Sequence, residues 1–171
     1  MHWRGVAMKS IEKILVPTDL SETSLAGVGY ALNLAKTVGA EATVLHVLSY
    51  EEFSAYSEKL RNRLLSDPTF CVPAPYLKEY QDALHRFLDE NFTDLLRSIR
   101  VHEQIEVGNT DETILSEARS QASDLIVLSA RRRTGMARFL KRSVTEKVSS
   151  KASCPVLSIR ATYDQPRLRA A

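Results

Sequence analysis

Lys13-Ile-Leu-Val-Pro-Thr-Asp-Leu-Ser21 compresses a strand, its stop and a helix start into one short stretch. Ile14, Leu15 and Val16 are consecutive apolar residues of strand type, and the run stops at Pro17. Proline lacks an N–H, so it suits a strand end or a sheet edge. Asp19 and Ser21 follow, and both residue types cap helix amino ends well. Leu25, Val28, Leu32 and Ala35 then recur on one helical face. Gly39 is placed to end that helix in the left-handed conformation. Glu41–Leu48 reads as a second strand. The opening is therefore β-α-β.

The remaining chain continues the alternation. Residues 50–75 are the least regular, with a helix possible from Tyr50 to Leu65 before Asp67-Pro68 and Val72-Pro-Ala-Pro75 break the chain. Leu77, Tyr80, Leu84, Phe87, Leu88, Phe92, Leu95 and Ile99 mark a long amphipathic helix. Val101–Val107 alternates as a third strand near an edge. Gly108-Asn-Thr110 is a turn, and Asp111 and Glu112 place negative charge at the next helix start. Asp124-Leu-Ile-Val-Leu128 is a fourth, wholly apolar strand. Val144, Val148 and Ala152 share a helical face, and Cys154-Pro-Val-Leu-Ser-Ile159 is the fifth strand. Strands that are apolar throughout and alternate with helices imply a parallel sheet covered on both faces. The expectation is one α/β domain, a doubly wound five-stranded sheet over residues 13–160. Residues 1–12 form an extension, 50–75 an irregular insert and 161–171 a mobile tail. Met8 is a second candidate start, with residues 1–7 then an upstream addition.

Composition narrows the function classes. With 171 residues and 44% hydrophobic side chains, the chain can bury a core. No apolar run approaches the roughly 20 residues of a membrane-spanning helix. The start, MHWRGVAMKS, lacks the apolar core of a signal peptide. Cys71 and Cys154 stand far apart, which excludes a disulfide framework and a cysteine-built zinc site. A cytoplasmic location follows as the expectation. The net charge of +2 conceals an asymmetry: residues 1–128 carry −7 and residues 129–171 carry +9. A basic end suggests an anionic partner, or else a solvated face.

Five stretches resemble the universal stress protein family. They are Lys13–Thr23; Leu45-His-Val-Leu48; Val107-Gly-Asn-Thr110; the run from Asp124-Leu-Ile-Val-Leu-Ser129 through Arg133-Thr-Gly135, Arg138-Phe-Leu140 and Ser143–Val148; and Cys154–Ile159. The resemblance implies strand order 3-2-1-4-5. Ligands of such sheets bind beyond the carboxyl ends of the strands, where the winding reverses. Pro17, Thr18 and Asp19 would then meet Leu128 and Ser129. The resemblance also implies that Asp19 and Val47 contact the adenosine of ATP, although Asp19 equally reads as a helix cap. His46 reads as a packed residue at a strand end.

The family's ATP motif is Gly, two residues, Gly, nine residues, Gly, then Ser or Thr. Aligning Ser143 and Val144 with its end puts Ser129, Arg132 and Arg142 at the three glycines. Only Ser143 is kept. Backbone amides at such glycines can approach a phosphate closely. A side chain at a position needing positive φ costs about 1 kcal/mol or more. Guanidinium groups nevertheless bind phosphate well. Arg131, Arg132 and Arg142 could replace a backbone cradle with side chains.

Three functions compete on this reading. The first is a dimeric, non-catalytic interaction module with weak or lost ATP binding. The second is a switch holding a nucleotide or another small anionic, phosphorylated ligand. The third is an enzyme, for which no Walker A, G-x-S-x-G or H-E-x-x-H motif is present. The four histidines show no metal-ligand spacing. Nucleic acid is a poor fit, because Phe139 alone among residues 131–142 can stack on bases. The resemblance implies a homodimer through Val156, Leu157, Ser158 and Ile159, an apolar edge that otherwise invites aggregation.

Overall fold

The computed structural model describes residues 10–54, 62, 65–67, 74–130 and 143–160. The mobile tail expected at 161–171 lies outside the described residues, as do most of the extension and much of the insert. In chain order the elements are β1 (Lys13–Thr18), α1 (Glu22–Val38), β2 (Glu41–Leu48), α2 (Tyr50–Ser54), α3 (Ala74–Leu96), β3 (Val101–Val107), α4 (Thr110–Ser120), β4 (Leu125–Ala130), α5 (Val144–Lys151) and β5 (Val156–Arg160). The five strands form one sheet in the order β3-β2-β1-β4-β5, and every pairing is parallel. β3 is an edge, as its mixed pattern suggested.

Successive residues of each central strand feed opposite faces. Ile14, Val16, Ala42, Val44 and Val127 pack with Val28, Leu32 and Ala35 of α1 and with Leu84 and Leu88 of α3. Leu15, Leu45, Val47, Ile126 and Leu128 pack with Ile114, Leu115 and Ala118 of α4 and with Val148 of α5. Helices therefore cover both faces. Each cluster is fed by residues far apart in sequence, which is why neither face is readable from one segment.

Gly39 closes α1 with φ +76° and donates its N–H to Ala35. Ser21 is the N-cap of α1, but its side chain makes no cap hydrogen bond. Its hydroxyl and its N–H both donate to Asp19 Oδ1. Ser21 thus holds the N-cap position, and its C=O accepts from Ser24 N–H at 2.9 Å. α3 ends at Leu96, short of Ile99, and Phe92 inside it has non-helical angles. The Phe92 ring lies over Gly29 of α1, where an added Cβ would stand 3.1 Å from it. β4 runs two residues beyond Leu128, and β5 begins only after Pro155.

Pro17 is the next-to-last residue of β1, the strand end where a proline was expected, and β1 is the middle strand of the sheet. The backbone polarity explains how it is tolerated. Asp124 N–H donates to Lys13 C=O and Glu41 N–H donates to Glu12 C=O, both at 2.9 Å. Residues 13, 15 and 17 therefore present their backbone groups to β4, and even-numbered neighbours face β2. Pro17 has no N–H to give β4. The β1–β4 register covers Ile14↔Leu125 and Leu15↔Ile126 and stops there, although both strands continue.

Candidate functional site at the carboxyl ends of the strands

Where the β1–β4 register stops, the winding of the sheet reverses. β1 leads to β2 on one side, and β4 leads to β5 on the other. Pro17, Thr18 and Asp19 stand at the end of β1, Val47 near the end of β2, and Leu128 and Ser129 near the end of β4. Ser143 and Val144 begin α5, which starts at this same end. The fold thus brings these eight sequence-predicted residues to one end of the sheet. Arg131, Arg132 and Arg142 lie outside the described residues.

A chain of hydroxyls organises the crevice. The buried Thr18 donates from Oγ1 to Ser24 Oγ at 2.9 Å and accepts from Leu20 N–H at 3.1 Å. Leu20 has φ 58°, the left-handed region that costs a branched side chain about 1 kcal/mol or more. Its side chain packs against the core, which offsets that strain. Ser24 Oγ donates in turn to Ser21 C=O at 2.7 Å, and Ser129 Oγ donates to Ser24 C=O at 3.1 Å. His46, 9% exposed, shares a 2.9 Å hydrogen bond between Nδ1 and Thr18 C=O. Its ring stacks on Tyr80 of α3 at 6.5 Å. Burial beside Glu79 and Glu52 pushes the Tyr80 phenol above its usual range. His46 is a packed residue, as expected.

Ser129 stands where the family's ATP motif has its first glycine. Its backbone is ordinary strand, since Leu20 and Ala122 alone hold positive φ among the described non-glycine residues. Its hydroxyl turns into α1, not toward the crevice. Gly27 provides the space: a Cβ there would stand 2.2 Å from Ser129 Oγ. This replacement therefore neither strains the backbone nor fills the ligand volume.

Sequence reasoning passed over Ser24, Gly27 and the partner of Asp111. Asp111, 6% exposed, receives Lys147 Nζ at 2.9 Å from the neighbouring helix. Acidic character at a helix start was legible, but the cross-helix partner was not. Ser143 closes a reciprocal capping box with Glu146. The S-x-x-E spacing of that box stands in the sequence.

The opposite end of the sheet holds a groove of about 380 Å³, lined by Lys13, Glu41, Thr43, His102, Gln104 and Ser123 among others. Hydrogen bonding from His102, and then from Arg100, holds the Glu41 carboxyl below its usual range. Its charges are mutually paired and single out no ligand chemistry. Among the described residues no group of three His, Cys, Asp or Glu side chains is placed to hold a metal ion. No helix among them is long and apolar enough to cross a membrane.

Comparison with known proteins converges on one description. A family model described as the universal stress protein family matches residues 10–160. Universal stress protein MJ0531 of Methanocaldococcus jannaschii is 30% identical over 152 residues, covering 87% of this chain and 82% of that protein. The solved structure of hypothetical protein MJ0577 from the same organism is 28% identical, with TM-score 0.61 over 91% of this chain and all of that one. A universal stress protein from Archaeoglobus fulgidus, solved in complex with dAMP, shares the fold at 18% identity and TM-score 0.57, over 88% of this chain and 98% of that one.

Proposed function

The chain belongs to the universal stress protein family, and from that membership we propose a regulatory, non-catalytic protein that acts as a homodimer and holds a nucleotide weakly. The observation that carries the dimer is the open edge of β5. Ile126 N–H donates to Pro155 C=O, so Pro155, Leu157 and Ile159 face β4. Val156, Ser158 and Arg160 then turn their backbone groups outward, with no neighbouring strand among the described residues. An unpaired apolar edge is a liability unless another strand covers it. A second copy around a two-fold axis is the simplest cover. Sedimentation at tens of micromolar tests this, and a monomer of 19.2 kDa overturns it.

The carboxyl-end crevice supports the second element, a nucleotide ligand. It retains the β1 and β2 residues that the family resemblance assigns to adenosine, and a relative of this fold carries dAMP in its structure. The motif glycines are replaced at 129, 132 and 142. The Ser129 replacement is accommodated by Gly27, so the weakening comes from Arg132 and Arg142. Calorimetry with Mg-ATP tests this reading, for which affinity weaker than micromolar is expected. Walker A, G-x-S-x-G and H-E-x-x-H motifs are absent from the sequence, and a cytoplasmic regulatory role is part of the same proposal.

A further inference from the structure

α1 carries an uncharged apolar line down one flank. Gly29 faces α3, because the Phe92 ring stands over it, and Gly27 faces β4, where Ser129 fills the space beside it. At about 100° per residue, Leu34 and Val38 fall on the Gly27 side, seven and eleven positions on, with Tyr30 next to them. That flank points past β4 toward β5, the next strand of the sheet. Tyr30 is 48% and Val38 45% exposed, and Leu34 is half-buried. Leu157 and Ile159 of β5 lie on this same face and are half-buried against its core. On the other face Val156 packs with the cluster that Val148 of α5 completes. The apolar surface around β5 is therefore one-sided and opens on the α1 face. The two charged residues of α1, Glu22 and Lys36, both fall on the Gly29 side, seven positions either way.

We propose that Tyr30, Leu34 and Val38 join Leu157 and Ile159 in a surface that docks a second copy of this chain, which rests on reading β5 as the dimer edge. Backbone pairing alone is too small for that task. β5 has five residues, about 17 Å of strand, whereas a stable interface buries about 1,200–2,000 Å² in total. The line on α1 supplies further area beside the strand. Its composition suits an interface centre, which is poor in charge and rich in tyrosine. When β5 pairs with its copy about a two-fold axis, the sheet continues and both α1 helices stand on one face. Tyr30 and Leu34 of each copy then close over the paired strands from either side.

Tyr30→Lys and Val38→Lys place charge on the line at exposed positions, and lysine suits a helix. Lys36→Glu makes a larger charge change on the Gly29 side and serves as control. Each variant is sedimented over a concentration series, with circular dichroism and thermal unfolding to confirm that it is folded. The Tyr30 ring resonances of the wild type are followed on dilution. The dimer dissociation constant should rise at least about tenfold in each lysine variant and stay unchanged in Lys36→Glu. The ring resonances should shift with the dimer fraction. Lysine variants that dimerise like the wild type, while Ser158→Pro abolishes the dimer, overturn the α1 surface and leave the strand-paired dimer standing. A wild type that is monomeric throughout overturns both. Ring resonances that ignore concentration in a protein that dimerises show Tyr30 facing solvent or its own chain, and also overturn the α1 surface.

Discussion

Gly27 and Ser129 exchange roles across the α1–β4 contact. Ser129 carries the side chain that a glycine-rich loop would omit, and Gly27 omits the one that a helix would favour. Both the Ser129 hydroxyl and its backbone N would crowd a Cβ at position 27, at 2.2 and 3.1 Å. Gly27→Ala should therefore destabilise the fold by about 1–3 kcal/mol, despite alanine's better helix propensity. Ser129→Gly in the same chain should recover part of that loss. Denaturant unfolding of the four members of the cycle measures the coupling. Additive single effects would show that the two residues do not share the space. Neither partner is recognisable alone in the sequence, because their separation of 102 positions is closed only by the fold.

At the scale of elements, α3 is fastened to the β3 edge by a titratable contact. His85 Nδ1 lies 2.9 Å from Glu103 Oε1 of β3, and Nε2 lies 3.4 Å from Asp89 Oδ2 one turn along α3. The Glu103 hydrogen bond, with Coulombic attraction to Glu103, Asp89 and Asp82, raises the His85 pKa above its ordinary 6.5. The protonated form is thus favoured by the fold. The stabilisation is complete below pH 6.5 and fades as pH rises through the higher folded value. An NMR titration of the ring should give a midpoint above 6.5. The stability difference between wild type and His85→Gln should shrink on going from acidic to alkaline buffer. A midpoint at or below the ordinary value would show that the contact is not held in solution.

Element type and order were legible because apolar periodicity and glycine punctuation agree along most of the chain. The end of α3 was less so. Leu95 and Ile99 extend the helical pattern and both pack against the core, but the helix bends at Phe92 and ends at Leu96, so Ile99 reaches the core from outside it. Of the candidate site, the β1, β2 and β4 positions followed from the strand order and the contacts that the family resemblance implied. The hydroxyl chain through Ser24 and the Asp111–Lys147 pair did not. Both depend on which helix faces stand opposite one another, and no local spacing encodes that.

For the whole molecule, the outward polarity of β5 gives a sharp test of assembly. Ser158 is exposed and its N–H faces away from β4. Ser158→Pro removes that donor while leaving the β4 ladder intact, and edge strands accept proline. The variant should keep wild-type helix content by circular dichroism and sediment as a 19.2 kDa monomer. A dimer that survives the substitution must use another surface.

The proline in the middle strand also divides the sheet mechanically. On one side, β3, β2 and β1 are joined over seven and six residue pairs. On the other, β4 and β5 share five. Only two pairs join these leaves. Side chains of α1 and the two apolar layers supply most of what holds them together, so the seam can loosen with few backbone bonds broken. Sub-global openings of this kind appear in native-state amide exchange. Leu15 and Val127 amides at the seam should exchange through a smaller opening than Val44 and Leu45 within the first leaf. Uniform protection across all five strands would show that the side chains alone make the two leaves one cooperative body.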